Sequence, residues 1–326
     1  MTPTIGLLGD VMLGRGVAQR LTEVPPEDVW SPELRDLCRS CDLVICNLEC
    51  CISTGGAPTE RIRGKPFFFR APPPAIASLR AIGVGAVGLA NNHALDFETD
   101  ALADTLELLA EAEIAVTGAG LDGDRARRGA IVDADGTRVA LAASADHPIE
   151  FAAGPDAPGI AYADLREGPP AWLSTELARV RGESELVVSF PHWGPNMTSQ
   201  PAAWQFGAAA TMQEAGADMV AGHSAHVFHG VGWGERGPVL YDLGDALDDY
   251  AVDGTLRNDL GILAIWRPGD PEAELELAAL ALDYCYTRLA RGEEAEWIAR
   301  RLERACPPLG SRVERVTEQR FHLAPA

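Results

Sequence analysis

Lysine is nearly absent from this sequence, and neither a long apolar run nor a basic amino-terminal segment is present. Lys65 is the single lysine among 27 basic residues, and 48 acidic residues bring the formal net charge to −21. A surface this acidic repels phosphate backbones and anionic lipid headgroups, so neither nucleic acid nor a membrane is an expected partner. No stretch reaches the roughly 18 apolar residues of a membrane span, and no signal-peptide pattern precedes the first predicted strand. We therefore expect a cytoplasmic protein.

Seven cysteines, an odd number, do not form a complete disulfide framework and fit a reducing compartment. The pair Cys38-x-x-Cys41 has a spacing that zinc or redox chemistry could use. Cys46, however, lies in the apolar run "DLVICNLE", which is typical of a buried strand. Because a free cysteine packs as a small hydrophobic residue, we favour structural thiols over a zinc site.

Apolar runs alternate with helical periodicity along the 326 residues, which predicts an α/β fold. Residues 4–10, 42–49 and 84–93 read as buried strands, and residues 274–289 as one long strand. Asp135-Gly136 predicts a hairpin between two strands. Motifs before and after a loop near residues 147–170 depend on each other, so we expect a single domain over 1–326. Residues 285–326 form a C-terminal extension of helix and strand in this prediction.

Nearly every predicted strand ends in polar side chains that could bind a ligand. The carboxyl ends of parallel strands meet at one edge of a sheet, where ligand sites form. One aspartate at such a place usually caps a helix, but the joint occurrence of so many polar ends favours a common site. The residues are Asp10, Asn47, Glu49, Asn91, Asn92, His93, His192, His223, His226, Asp242 and Asp245.

Six short motifs in this order resemble the capsule and poly-γ-glutamate biosynthesis (CapA) family of the calcineurin-like metallophosphoesterases. They are "GDVMLGR" (9–15), "NLE" (47–49), "ANNHALD" (90–96), "HWG" (192–194), "GHSAH" (222–226) and "YDLGD" (241–245). The resemblance implies a calcineurin-like four-layer α/β/β/α sandwich, with His93 at the position of the superfamily's general acid. It also implies a divalent metal ion, whose donors suit calcium, manganese, magnesium, zinc or iron. The implied ligands are Asp10, Glu49, Asn92, His192, His223 and His226.

The sequence departs from the superfamily pattern at several of these places. Met12 stands where the superfamily has a histidine ligand, and Glu49 replaces an aspartate. Two residues instead of one separate His223 from His226, and His229 adds a further imidazole. Losing a ligand at Met12 weakens a two-metal arrangement, so the sequence makes a single ion plausible.

Three functions remain open from the sequence. The first is metal-dependent hydrolysis, of a phosphoester or of a poly-γ-glutamyl or peptide amide bond. The second is epimerisation at the α-carbon of a C-terminal residue of a ribosomal precursor peptide, which a soluble lasso-peptide branch of the family performs. The third is a binding module without catalysis. We favour the epimerase with a peptide substrate, because the resemblance covers that branch and the pattern at Met12 is unlike that of a two-metal hydrolase.

Removing and returning an α-proton requires an acid–base pair near a cation. His93 with Asp96 is one candidate pair, although Asp96 could instead cap the following helix. The other candidate is His229 or His226 with Asp245 or Asp248. The predicted catalytic residues are therefore His93, Asp96, His229 and Asp245.

Overall fold

The computed structural model describes residues 2–270 and 274–326 of the chain. Short 3-10 helices occur at Pro26–Val29, Ile149–Phe151 and Pro307–Leu309. The α-helices in the described residues are α1 (Arg15–Glu23), α2 (Pro32–Arg39), α3 (Ala75–Ala81), α4 (Glu98–Glu111), α5 (Gly123–Arg127), α6 (Ala171–Glu183), α7 (Ala203–Glu214) and α8 (Glu293–Ala305).

The strands vary from two to nine residues. They are β1 (Ile5–Val11), β2 (Leu43–Leu48), β3 (Cys51–Ile52), β4 (Arg70–Ala71), β5 (Val84–Gly88), β6 (Ala115–Thr117), β7 (Ala119–Gly120), β8 (Ala130–Ala134), β9 (Thr137–Ala145), β10 (Gly159–Ile160), β11 (Leu186–His192), β12 (Met219–Ala221), β13 (Val231–Trp233), β14 (Pro238–Leu240), β15 (Asp245–Leu247), β16 (Leu260–Trp266), β17 (Leu275–Leu282), β18 (Thr287–Leu289), β19 (Ser311–Arg315) and β20 (Arg320–Pro325).

Two mixed sheets form the centre of the structure. The large sheet has the order β19-β20-β17-β16-β1-β2-β5-β6, with β15 beside β1 and β18 beside β17. The small sheet has the order β13-β14-β12-β11-β9-β8. Strands β1, β2, β5 and β6 are parallel in the large sheet, as are β9, β11, β12 and β14 in the small one. Each sheet therefore collects several carboxyl ends at one edge.

Successive side chains of the small sheet face opposite sides and pack into two different cores. Val139 and Leu141 of β9 join the core that includes the large sheet, whereas Ala140 and Ala142 join a second core with helices α6 and α7. Helices α3 and α4 contact strands β5 and β6 of the large sheet. The order of layers is thus helix, sheet, sheet, helix, which confirms the predicted four-layer α/β/β/α sandwich.

Local sequence signals explain several element ends. Ser31 accepts a hydrogen bond from the Leu34 N–H at 3.2 Å and begins α2. The predicted hairpin joins β8 to β9 through Asp135 and Gly136, with φ values of 50° and 81°. Two left-handed residues in succession are what a type I′ turn requires, so this prediction is confirmed.

The prediction of one strand over residues 274–289 is wrong. Strand β17 ends at Leu282, and β18 returns antiparallel to it. Tyr284 and Cys285 adopt φ values of 38° and 66°, which reverse the chain. The apolar pattern continues through the turn, so periodicity alone did not reveal it.

The C-terminal segment extends the large sheet, because β20 pairs with β17 and β19 pairs with β20. The division into one domain with an extension over 285–326 stays a prediction. Within residues 2–270 and 274–326, no helix combines the length and apolar character needed to cross a bilayer.

Candidate metal and proton-transfer site

The carboxyl edges of the two sheets meet around Asp10 at the end of β1. Asp10 is in register with Asn47 of β2 and with Asp245 of β15, and the Asn47 amide donates to its Oδ1 at 2.8 Å. The Asp10 N–H donates to the carbonyl of Gly244, an approach that Gly9 permits because a Cβ there would lie 1.9 Å from that oxygen. The backbone therefore brings carboxylates from distant segments together.

Asp10, His192 and His223 form a first cluster, which we call the histidine group. His192 ends β11 and pairs with His223 through an isolated bridge. The two Nδ1 atoms are 3.0 Å apart, and the Nδ1 of His223 lies 3.1 Å from Oδ1 of Asp10. All three side chains are buried. One ligand atom of each residue lies within 4.8 Å of the others, close enough to share a metal ion.

Asp10, Glu49, His226 and Asp245 form a second cluster, which we call the acidic group. The Nδ1 of His226 lies 2.9 Å from Oδ1 of Asp245 and 3.6 Å from Oδ2 of Asp10. His226 has a φ of 59°, a left-handed conformation that residues other than glycine rarely adopt and that often marks functional sites. Asp10 faces the histidine group with one oxygen and the acidic group with the other.

Buried oxygens without partners indicate that a cation fits here. Oδ2 of Asp10, Oε1 of Glu49 and Oδ2 of Asp245 are buried and accept no hydrogen bond. Leaving such groups unpaired is costly. Carboxylate oxygens and imidazole nitrogens are the donors that divalent ions use, so these residues fit the metal ion that the resemblance implies.

The pKa values of the buried carboxyl groups also favour a bound cation. Burial, followed by repulsion from Asp10, raises the pKa of Glu49 well above its ordinary value, and burial raises that of Asp245 similarly. Burial also raises the pKa of Asp242 to about 8. Although burial opposes it, the pKa of Asp10 is lowered by a hydrogen bond from His223 and by electrostatic attraction to His223 and His226. A bound cation would allow the other carboxylates to ionise as well.

Of the two neighbouring asparagines, Asn91 holds the end of strand β2 in place through hydrogen bonds. Its amide donates to the Asn47 side chain at 3.0 Å and to the carbonyl of Leu48 at 2.8 Å. The Oδ1 of Asn92 is buried and makes no hydrogen bond. Asn92 therefore has a free ligand atom, and its assignment as a metal ligand stays a prediction.

The structure brings the predicted pair His93 and Asp96 together. Nδ1 of His93 lies 2.6 Å from Oδ2 of Asp96, which also accepts from the backbone N–H of Phe69. Lys65 lies 3.1 Å from the other Asp96 oxygen, so the carboxylate orients His93 rather than capping helix α4. Burial lowers the pKa of His93 to about 4 although Asp96 opposes this. The ring is therefore neutral near pH 7, with Nδ1 facing the carboxylate.

His229 lies apart from both groups. Its Nε2 is 3.0 Å from the backbone oxygen of Thr198, and burial lowers its pKa to about 4. Of the suggested pairings, that of His226 with Asp245 is present, since Nδ1 of His226 lies 2.9 Å from Oδ1 of Asp245. His229 instead contacts the backbone of Thr198. A catalytic role for His229 stays a prediction without support from its surroundings. Asp245, predicted as a proton-transfer partner, lies in the acidic group.

A cavity of about 550 Å³ opens over the acidic group. Its lining includes two histidines that contact carboxylates, the basic side chains Arg15 and Lys65, and aromatic rings, so it can accept a ligand with apolar and polar parts. The histidines and aromatic residues are Phe67, Phe69, His93, His226 and Tyr250.

Sequence reasoning missed Asp146 and His147, which follow β9. Nδ1 of His147 donates to Oδ1 of Asp146, and the ring of His147 lies 5.2 Å from that of His192. The signal was present: this strand also ends in polar residues, and the rule that found the other positions applies to it.

The cysteines take no part in either ligand group. All seven are free, and six are buried. Burial raises the pKa of the Cys38 thiol to about 12, which suppresses its thiolate. The structure thus agrees with the interpretation of these residues as structural thiols.

Comparisons with known proteins agree with the motif pattern. A model of the family described as bacterial capsule synthesis protein PGA_cap matches residues 4–250. The probable polyglutamine synthesis accessory protein of Mycobacterium tuberculosis is 32% identical over 372 residues, 99% of this chain and 96% of the relative. Capsule biosynthesis protein CapA of Bacillus anthracis is 26% identical over 253 residues, 76% of this chain and 60% of the relative. The resemblance predicted from the motifs is confirmed.

Solved structures with similarity to this chain include two hydrolases. The 5′-nucleotidase from Candida albicans is aligned over 85% of this chain and 51% of its own, with 10% identity and a TM-score of 0.47. Sulfate thiohydrolase SoxB from Thermus thermophilus is aligned over 92% and 60%, with 14% identity and a TM-score of 0.42.

Proposed function

Because the chain belongs to the bacterial capsule synthesis protein family, we propose that it is a metal-dependent acid–base enzyme with a peptide substrate. The observation that carries this proposal is a pair of ligand groups that share Asp10 and are buried except for His226, which lines a cavity together with His93. The names of its relatives refer to polyglutamine synthesis and capsule biosynthesis. A polyamide as substrate class is consistent with those names.

The histidine group and the acidic group would hold the metal. A bound divalent ion would supply positive charge that stabilises negative charge developing on a substrate oxygen. The described residues provide imidazole and carboxylate donors in both groups and thiolate in neither. Calcium, manganese, magnesium, zinc and iron are all compatible with such donors.

Within this function, we infer epimerisation at the α-carbon of a peptide residue, with the C-terminal residue of a precursor peptide as the substrate. His93 is neutral and lines the cavity, so it is in the form that accepts a proton. Asp96 fixes its Nδ1 and leaves Nε2 for the substrate. Phe67, Phe69 and Tyr250 give the cavity an apolar wall that limits access of water.

Hydrolysis of an amide or a phosphoester is the second candidate. It is favoured by the two ligand groups joined through Asp10, since two-metal hydrolases hold their ions about 3.5–4 Å apart. Met12 removes the superfamily's histidine from this site, but Asp245 contributes a carboxylate to the acidic group. The absence of that histidine is therefore a weaker argument against hydrolysis than it was from sequence alone.

One experiment separates these candidates. Metal-loaded protein is incubated in heavy water with a peptide panel varied at the C-terminal residue, and with a panel of phosphoesters. Deuterium at an α-carbon with a change of configuration and no cleavage supports epimerisation. Cleavage of an amide or phosphoester supports hydrolysis, and unchanged substrates that nevertheless bind support a binding module. Asp10→Asn is the control that should lose either activity.

A further inference from the structure

Arg15 lines the cavity over the acidic group and is the first residue of helix α1. Its φ of 49° is a left-handed conformation that arginine rarely adopts and that often occurs where a ligand binds. The preceding Gly14 lets the chain pass close to β4, since a Cβ there would lie 3.0 Å from the backbone nitrogen of Arg70. The chain therefore adopts an unfavourable backbone conformation at the residue whose positive charge lines the cavity.

The guanidinium group of Arg15 is fixed on one side only. Its Nε lies 3.2 Å from Oδ2 of Asp249, and the same oxygen accepts the backbone N–H of Gly16 at 2.9 Å. The ring centroids of Phe67 and Phe69 lie 5.5 and 5.6 Å from the guanidinium carbon. Neither Nη nitrogen donates a hydrogen bond to any other residue in the described part of the chain. Asp249 and the two rings thus orient the group, while both Nη nitrogens stay available to a ligand.

Lys65 is the other basic residue that lines the cavity, and its charge is already engaged. Its Nζ donates to the carbonyl of Asn92 at 2.8 Å and lies 3.1 Å from Oδ1 of Asp96. Only 7% of its side chain is exposed, against 37% for Arg15. Of the two basic side chains, Arg15 is therefore the one with donors and surface left for a ligand.

Residues 60–70, which supply part of the cavity wall, are basic in an otherwise acidic chain. They include four basic side chains and one acidic side chain, whereas the whole chain has a net charge of −21. Local positive charge attracts an anion that the rest of the surface repels. The three carboxylates of the acidic group also repel an anion, so an anionic ligand in this cavity needs a cation as its direct partner. Arg15, which contacts Phe67 of this wall, can be that partner.

The cavity also offers apolar surface beside this cation. Phe67 and Met197 line it and remain exposed, although both are large apolar side chains. Exposed apolar surface of this kind is typical of a binding groove, and a guanidinium fork forms two parallel hydrogen bonds with a carboxylate. A peptide with a free carboxylate and an apolar side chain would match both features. A phosphate group also fits a guanidinium, so a phosphomonoester is included in the test below.

We propose that Arg15 determines substrate specificity by pairing its Nη nitrogens with a free carboxylate of the peptide. This inference rests on the peptide substrate of the proposed function, and it holds whether the bound peptide is epimerised or cleaved. The carboxylate belongs either to the C-terminus of the peptide or to an acidic side chain near it, two sources that the test distinguishes. The contact is a binding contact, in which no covalent bond is made or broken.

The test measures binding by isothermal titration calorimetry to full-length, metal-loaded protein, so it does not require turnover. The probes are acetylated tetrapeptides that end in leucine, phenylalanine or tryptophan, each with a free or an amidated C-terminus and with glutamate or glutamine as the penultimate residue. The phosphomonoester probe is p-nitrophenyl phosphate. Wild type is compared with Arg15→Gln, Arg15→Lys and the control Arg315→Gln, and metal content per chain is measured for each.

Arg315 is a matched control because it has the same kinds of contact away from the cavity. Its side chain is 34% exposed, pairs with Glu296 at 2.8 Å, and lies 5.9 Å from the ring centroid of Phe321. It belongs to β19, at the far end of the large sheet from β6. Loss of an arginine with one carboxylate and one aromatic neighbour is thus reproduced without any change in the cavity lining.

We expect wild type to bind one carboxylate form about 10- to 100-fold more tightly than its neutral counterpart, the usual contribution of hydrogen bonds between charged groups. A preference for the free acid over the amide identifies the C-terminus, and a preference for glutamate over glutamine identifies the side chain. Arg15→Gln should keep its metal and lose that preference, because it binds the neutral peptide as wild type does. A merely structural role of Arg15 would instead weaken the binding of both forms alike.

Arg15→Lys should keep part of the preference, because lysine retains the charge but lacks the planar fork of donors. This variant also keeps a cation beside Asp249, so it tests the pairing if Arg15→Gln folds poorly. Arg315→Gln should show the wild-type preference and affinity.

A full preference that persists in Arg15→Gln and Arg15→Lys, or peptide binding by wild type without any preference, would overturn the assignment of Arg15 and leave the proposed function intact. Arg15-dependent binding of p-nitrophenyl phosphate without binding of any peptide would overturn it as well, and would favour phosphoester hydrolysis. Binding of none of the probes by wild type would overturn both the assignment and the peptide substrate. Carboxylate-selective binding without turnover of any peptide would instead count against the enzyme and support the contact with Arg15.

Discussion

The histidine group and the acidic group share Asp10 but offer a metal ion different surroundings. The histidine group supplies two imidazoles and one carboxylate, whereas the acidic group supplies three carboxylates and one imidazole. Imidazole-rich sites suit zinc, iron or manganese, and oxygen-rich sites suit magnesium, calcium or manganese. One aspartate thus connects two groups of donor atoms that would favour different ions.

The two groups also differ in their state without a metal. Burial, followed by the nearby His223, lowers the pKa of His192 well below its ordinary value, so that ring is neutral and ready to bind. Burial raises the pKa values of Glu49 and Asp245 well above theirs, so both must lose protons when a cation binds. Metal binding in the acidic group should therefore release protons and weaken at low pH.

The largest effect is expected from Asp10→Ala, which removes the residue common to both groups. Bound metal should be lost from both groups, and activity should fall about 1,000-fold, which corresponds to about 4 kcal/mol of charge stabilisation. Metal content by inductively coupled plasma mass spectrometry and the peptide assay check this result. Retention of one tightly held ion would show that one group binds metal without Asp10.

Replacing a residue that belongs to only one group should distinguish the metal binding of the two groups. Asp245→Asn should remove the ion of the acidic group, and His223→Asn that of the histidine group, so each variant keeps one ion of the two. Titration with zinc and with calcium, followed by calorimetry, measures which ion each variant still binds. Equal loss of both ions in both variants would mean that the groups form a single site.

Chelation should lower stability by an intermediate amount. A ligand present at 100 times its Kd stabilises the folded state by about 2.7 kcal/mol, so removal of the metal should lower the Tm by roughly 5 °C. In metal-free protein, Asp245→Asn should instead raise the Tm, because the buried Asp245 must take up a proton on folding near pH 7 and an asparagine does not. Differential scanning calorimetry with and without chelator checks both signs.

The last effect is confined to acidic pH and concerns His229, which lies outside both groups. Its pKa is about 4 in the folded protein and near 6.5 when unfolded, so the unfolded state binds more protons between these values. The neutral ring stabilises the fold above pH 6.5, and this contribution, at most about 3 kcal/mol, is lost as the pH falls towards 4.

His229→Asn should therefore keep its metal and flatten the decline of urea stability between pH 6.5 and 4.5. His226→Ala should lose metal, since His226 belongs to the acidic group. Equal metal loss in the two variants would contradict the separation of His229 from the ligands. Unfolding midpoints at pH 7.5, where His229 is neutral in both states, provide the control.

Much of the candidate site followed from one property of the sequence, the polar residues at strand ends. Five of the predicted ligands, Asp10, Glu49, His192, His223 and His226, lie together in the two groups. His93 and Asp96 are adjacent because only two residues separate them and the intervening turn is short. The same rule would have found Asp146 and His147 had it been applied to β9.

Other features depended on contacts between distant segments. The place of Asp245 among the ligands results from the pairing of β15 with β1, across more than 230 residues. His229 is three residues from His226, yet the left-handed turn at His226 directs the following chain towards Thr198. Spacing in the sequence could not distinguish these two outcomes.

The sequence by itself determined the kinds of side chain at the strand ends, the alternating cores of the two sheets and the family. These depend on local periodicity and residue chemistry, which are readable along the chain. The tertiary structure decided that Asp10 is shared between two groups. It also decided that one histidine–carboxylate pair follows a strand of the large sheet and another follows a strand of the small sheet. Those relations are set by the packing and twist of the sheets, which bring together backbone segments that no local pattern connects.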